Sequence, residues 1–166
     1  MSMLLRALIL AGGLTGAAGL SQFPEYSQQY TQRLAGAVDE LSRVVADFDA
    51  SAAAEGLSRD AALAQMTGTD FVERRRADMT RTIARAERLS ADLEALRAAG
   101  PFTRAAHATR FTDPEIASRA WQDFKPAMPL TFEGAVFAGV GFLGGLGLLS
   151  GLLALLRWPF RRRQDA

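Results

Sequence analysis

The sequence predicts an all-α protein in which two transmembrane helices flank an antiparallel extramembrane helical hairpin or slender bundle. Three observations carry that prediction. The 166 residues keep their apolar stretches at the two ends, whereas 14 of the 19 basic and 16 of the 18 acidic residues lie between Pro24 and Phe132. A mean hydropathy near zero therefore averages two regions suited to different solvents. Apolar side chains in the charged middle recur in steps of three and four, the spacing of one helix face. No segment alternates with a period of two between hairpin turns, which argues against a sheet.

Residues 1–23 are expected to form the first transmembrane helix. Leu4 to Leu20 carries one charge, Arg6, and lies at the short end of what spans ~30 Å of hydrocarbon. The small residues Gly16, Ala17 and Ala18 also suit a cleavable signal peptide, and an uncleaved signal anchor is the reading taken. Arg6 would snorkel toward the headgroups on its side.

Residues 24–132 are expected to be an extramembrane helical domain. Leu34, Val38, Leu41, Val45 and Phe48 form one stripe, extended backward by Tyr30 and Tyr26, and Gly56 is the expected stop. Ser58 should cap a short helix from Arg59 to Met66, ended by Gly68. Thr69 should cap a long helix to about Ala99, with Val72, Met79, Ile83, Ala86, Leu93 and Leu96 inward. Its outer side should carry the pairs Arg74/Asp78, Arg88/Asp92 and Glu94/Arg97. Thr103 to Arg110 is weakly helical. Asp113 should cap a last helix with Pro114 at its first position and Ile116, Ala120, Trp121 and Phe124 as its apolar face. The two long helices, with coiled-coil-like steps and both ends tied to membrane segments, should lie antiparallel.

Residues 133–158 form the second expected span. Gly134 to Leu156 is 23 uncharged residues, about 35 Å of helix at ~1.5 Å per residue. Thr131 should cap it, and Glu133 in its first turn is favoured by the helix dipole. Residues 159–166 are read as a basic cytoplasmic tail. Arg157, Arg161, Arg162 and Arg163, with Trp158 at the interface and Arg6 at the other end, set both termini in the cytoplasm and residues 24–132 outside. Trp121, close in sequence to the second span, is a further candidate for the membrane interface.

Glycines at helical-face spacing, Gly12 and Gly16 in the first span and Gly141, Gly145, Gly147 and Gly151 in the second, are candidates for close helix packing in lipid. The bilayer is thus one partner. A larger membrane protein complex or another copy of the chain is the other. Nucleic acid is excluded, because interspersed charges summing to −2 over 24–132 give no clustered basic face. No cysteine and a single histidine, His107, remove disulfides, thiolate chemistry and the usual zinc sites. No catalytic, cofactor-binding or metal-ligating residue is assigned, and no cofactor is expected. The carboxylates Asp39, Glu40, Asp47 and Asp49 read as an exposed helix flank rather than an acid/base pair held in a pocket.

At Gln22-Phe23-Pro24, then Gln29-Tyr30-x-Gln32-Arg33-Leu34-x-Gly36, and at Pro129-Leu-Thr131-x-Glu133-Gly134, the chain resembles a family of short bacterial membrane proteins catalogued only as a domain of unknown function. The resemblance covers both spans and the start of the middle domain. It implies a bacterial inner-membrane protein with a periplasmic helical domain, and it supplies no activity.

Gln29, Gln32, Arg33 and Gly36 are candidate partner contacts on the first long helix. A glycine in mid-helix costs up to ~1 kcal/mol relative to alanine, so a close helix contact is expected at Gly36, and Gly36→Leu should weaken assembly or stability. The function expected is a non-enzymatic accessory or structural subunit docking on a larger membrane complex. The alternative is a periplasmic sensor or ligand-binding module that signals through a partner, since the sequence after Leu156 is too short for a signalling module.

Overall fold

The computed structural model describes residues 3–126 and 131–161. These form α1 (Met3–Ser21), α2 (Phe23–Ala54), α3 (Arg59–Gln65), α4 (Asp70–Ala98), α5 (Pro101–Ala106), a 3₁₀ turn (Ala108–Arg110), α6 (Pro114–Gln122) and α7 (Phe132–Arg161), with no strand among the described residues. The all-α expectation holds. The chain divides into two compact units, one of Met1–Ser27 with Phe124–Ala166 and one of Gln28–Asp123.

The first unit is built on the pairing of α1 with α7, both long and apolar enough to cross a membrane. Their outward surface is predominantly apolar, with Leu4, Leu8 and Leu14 on α1 and Leu143, Leu148, Leu152 and Leu155 on α7 exposed and Arg6, Thr15 and Ser150 as polar residues among them. Such an apolar surface is far beyond what a protein in water presents, and it is what hydrocarbon requires of a helix surface. The Thr131 hydroxyl accepts the Gly134 amide at 3.1 Å, so the expected cap is present at the start of α7. That helix continues beyond Leu156 to Arg161, and residues 159–161 of the expected tail are therefore helical. Arg157, Trp158 and Arg161 lie on this last stretch, while Arg162 and Arg163 lie outside the described residues. Pro24 falls in the first turn of α2, where its missing amide breaks no helical hydrogen bond. Near that end Phe23 meets Phe137 with ring centroids 5.3 Å apart, and Tyr26 meets Phe124 edge-on at 6.1 Å.

In the second unit, α2 and α4 are the arms of the helical hairpin, with α3 between them in sequence. The turn chemistry follows the sequence closely. Gly56 takes φ +70°, its amide bonding Ala53 and the Leu57 amide bonding Ala52, the two bonds that close a helix C-terminus through a left-handed residue. Ser58 and Thr69 hydroxyls accept the Ala61 and Val72 amides and open α3 and α4. The core is concentrated toward one end, where Tyr30, Leu34, Leu89 and Leu96 are fully buried and Ile116 and Ala120 of α6 close over them. Leu89 belongs to the inner face of α4, although the stepwise stripe read from the sequence omits it. Farther along the hairpin, Val45, Phe48, Val72 and Met79 are only half-buried.

Two buried carboxylates tie this core together. Asp113 caps α6 by accepting the Glu115 and Ile116 amides, each at 3.2 Å, and also accepts Arg85 Nε at 3.0 Å. Its own amide lies 3.4 Å from the Tyr30 hydroxyl, and the Tyr30 ring packs on Phe111 at 4.7 Å. Asp92 accepts Arg110 at 3.1 Å and the Thr112 hydroxyl at 3.0 Å. The expected surface pair Arg88/Asp92 is therefore replaced. Asp92 is 3% exposed and faces the segment before α6, and Arg88 donates to Thr112 at 2.9 Å. Asp78 likewise pairs with Arg75 and Arg81 rather than Arg74.

Burial raises the Asp113 pKa, but the Ile116 amide, the Arg85 guanidinium and the Glu115 amide outweigh it and hold the carboxyl below its ordinary value. The resulting stability is complete above the unfolded carboxylate pKa of about 4 and is lost as pH falls through the lower folded value. Chemical denaturation of the full-length protein between pH 3 and 6 should therefore show an acid-side loss that Asp113→Asn, which keeps the cap, makes shallower. An unchanged acid limb would mean that Asp113 does not contribute to it.

Candidate functional site

Two sets of residues were singled out by the sequence, the glycines of the spans and the polar cluster early in α2. The spans' glycines separate into two groups. Gly16 of α1 and Gly141 of α7 face each other so closely that a Cβ on either would run into the other's backbone carbonyl. A Cβ on Gly145 would strike the Gly12 carbonyl, and one on Gly12 would lie 2.8 Å from a Leu149 methyl. The four residues form a seam on which the two backbones are in contact, the close approach that small residues permit where lipid gives no hydrophobic drive. Gly13 adds to it against Phe142 and Leu146.

Gly147 and Gly151 have no neighbouring atom within 4 Å of where a Cβ would stand, and the same is true of Gly144. At 100° per residue these three lie within an arc of about 60° on α7, centred about 110° from the Gly141 and Gly145 side. Spacing alone pairs Gly141 with Gly145 and Gly147 with Gly151 and does not distinguish internal from external use. The structure places them on different faces, because the 145-to-147 step turns the helix by about 200°. Gly144 falls outside the spacing pattern, since Val140 and Leu148 stand four positions before and after it.

In the second unit, Gln29, Gln32, Arg33 and Gly36 follow one another along α2. Gln29 is half-buried and Gln32 exposed. Arg33 is ion-paired with Asp123. No helix of this chain makes the close contact expected at Gly36, with nothing within 4 Å of its Cβ position. Gly36 borders a cavity of about 430 Å³ instead. Its apolar floor is Gly36, Ala37 and Leu41 of α2 with Ile116 of α6, and its sides carry Arg33, Arg85 and Arg119 against Glu40 and Glu115. Arg85 spans 3.2 Å to Glu115, and Arg119 donates to Glu115 at 2.8 Å. Nothing in the sequence near Gly36 signals this groove, because its far wall comes from residues 85 and 115–119.

Trp121 is expected either on the apolar face of α6 or at the membrane interface, and the structure removes the first. The residue is 69% exposed, because Ile116 and Ala120 alone define the buried side of that helix. Among the described residues no group of three or more acidic or histidine side chains is arranged to hold a metal ion.

The model of a protein family described as a protein of unknown function, DUF2937, matches residues 2–162. The chain belongs to that family. No curated protein and no solved structure matches it.

The two glycine groups should respond oppositely to bulk. Gly141→Leu should destabilise the α1–α7 pair by about 1–3 kcal/mol, the usual cost of overpacking, whereas Gly147→Leu should leave it unchanged. Equilibrium unfolding in mixed detergent micelles reads the difference, and equal losses for both variants would contradict the seam.

Proposed function

We propose that this DUF2937 protein is a non-enzymatic accessory or structural subunit of a larger membrane protein complex, held in a bacterial inner membrane with both termini cytoplasmic and residues 24–132 periplasmic. The observation that supports the reading best is the glycine face of α7 that α1 leaves uncovered, Gly144, Gly147 and Gly151. Glycine disfavours a helix interior relative to alanine, and three on one lipid-facing side give nothing back unless another helix comes close. The seam at Gly12, Gly16, Gly141 and Gly145 supplies an internal example of what such a face does when covered. The exposed leucines beside the open glycines provide the side chains that would interlock with the incoming helix.

Crosslinking in intact membranes followed by mild detergent purification of the tagged chain tests the reading. A stoichiometric membrane protein partner is expected, and it should be lost in the double variant Gly147→Leu, Gly151→Leu while the chain itself remains folded. Repeated recovery of a lone monomer would sink the proposal. Recovery of this chain alone as an oligomer would replace the complex with a self-assembling scaffold.

The orientation rests on the arginines at the end of α7 and on Arg6, and on the preference of such residues for the cytoplasmic side. A reporter fused after Ala166 should be active only in the cytoplasm. Activity restricted to the periplasm would invert the topology without touching the docking argument.

A further inference from the structure

The groove beside Gly36 continues into a second cavity of about 450 Å³ that shares Leu41 and Arg85 with it and adds Arg75, Arg81 and Asp78 of α4. We propose that this α2–α4–α6 trough is a docking site for a short, extended, acidic segment of a partner polypeptide, with apolar side chains on the Gly36–Leu41–Ile116 floor and carboxylates on the arginine rims. The proposal deepens the subunit reading only in taking the occupant to be a polypeptide, and it does not depend on the glycine face of α7.

Charge is the first argument. Residues 28–123 hold 13 basic and 15 acidic side chains, yet the lining of the trough presents five arginines against three carboxylates, the further counter-charges Asp113 and Asp123 standing outside that lining. An acidic domain that concentrates arginine in its concave surface is complementary to an anionic guest, and guanidinium is the group best shaped to grip carboxylates in pairs. Arg33, Arg85 and Arg119 are held by Asp123, Asp113 and Glu115, which fixes their positions while each planar fork keeps further N–H donors for a guest.

Gly36 is the second argument. Its conformational cost in the middle of α2 is not offset by packing inside the protein, since the space over it is open. It is offset if a backbone lies there, because a side chain at this position would stand on the floor of the groove.

Length selects an extended segment over a compact ion. Arg33 to Leu41 covers about 12 Å of helix, and Arg75 to Arg85 about 15 Å. At ~3.3 Å per residue that distance takes about four to five residues of extended chain, with alternate side chains facing the floor and the rims.

The test uses the full-length protein in nanodiscs of neutral lipid, titrated to 1 mM with a fluorescein-labelled pentapeptide alternating glutamate and leucine. The lysine–leucine peptide serves as control, and amide shifts around Gly36, Leu41 and Ile116 are followed by NMR. Saturable shifts with the acidic peptide alone are expected. Gly36→Leu and Arg119→Glu should each weaken binding at least tenfold, without lowering the melting temperature. No shift at 1 mM, equal binding of the lysine peptide, or unchanged affinity in both variants overturns the proposal. So does a response only to vesicles containing phosphatidylglycerol, which would make the trough a headgroup site. Copurification of a partner can succeed while this titration fails, and the reverse, so the two readings fail separately.

Discussion

The helical domain depends on Asp113. One carboxylate caps α6, receives Arg85 from α4, and belongs to a residue whose amide meets the Tyr30 hydroxyl of α2, so three helices converge on a residue 3% exposed. A buried carboxylate is costly unless its acceptor positions are filled, and here amides and a guanidinium fill them. Asp92 repeats the device one step away with Arg110 and Thr112. No buried side-chain nitrogen or oxygen among the described residues is left without a partner. The apolar core contains few fully buried large side chains, and this polar network is what fixes α6 against the hairpin. The same fixation builds the trough, because Glu115, Ile116 and Arg119 can form a wall only when α6 is held in place.

The membrane pair solves a different problem by different means. In water, burial of leucine would drive two helices together. In hydrocarbon the leucines of α1 and α7 gain nothing by leaving lipid, so association must come from close contact of backbones. The glycine seam supplies that contact at two levels, Gly16 with Gly141 and Gly12 with Gly145, one helical turn apart on each helix. The two units therefore obey opposite rules, with large side chains inside the helical domain and the smallest ones inside the membrane pair.

What the sequence reveals and conceals follows from the range of the forces involved. Caps at Ser58, Thr69, Asp113 and Thr131, the stop at Gly56 and the spans themselves are local, and each is readable from a few neighbouring residues. The second role of Asp113, the inward turn of Asp92 and the groove beside Gly36 join positions tens of residues apart, which periodicity on one helix does not encode. Spacing marks Gly141, Gly145, Gly147 and Gly151 alike as small-residue pairs. Only the position of α1 shows that the first two are covered and the last two open. Of the two placements open to Trp121, the apolar face of α6 fails for a related reason, since its ring suits the three-and-four stripe while the step of about 100° from Ala120 carries it off the buried side.

Gly36 carries a conformational cost that no contact within the chain offsets. A glycine that weakens a long helix calls for a compensating contact, and the sequence alone leaves open whether a helix of the same chain or a partner supplies it. The structure removes the first and leaves the cost in place. Conformational entropy is lost at Gly36 whether or not anything packs on it, so a compensating contact has to arrive from outside the chain. The open glycines of α7 raise the same question in lipid. Both surfaces have the same physical form, a helix weakened where a side chain would obstruct approach, and each is bordered by the residues suited to its solvent: leucines in the membrane pair and arginines in the helical domain.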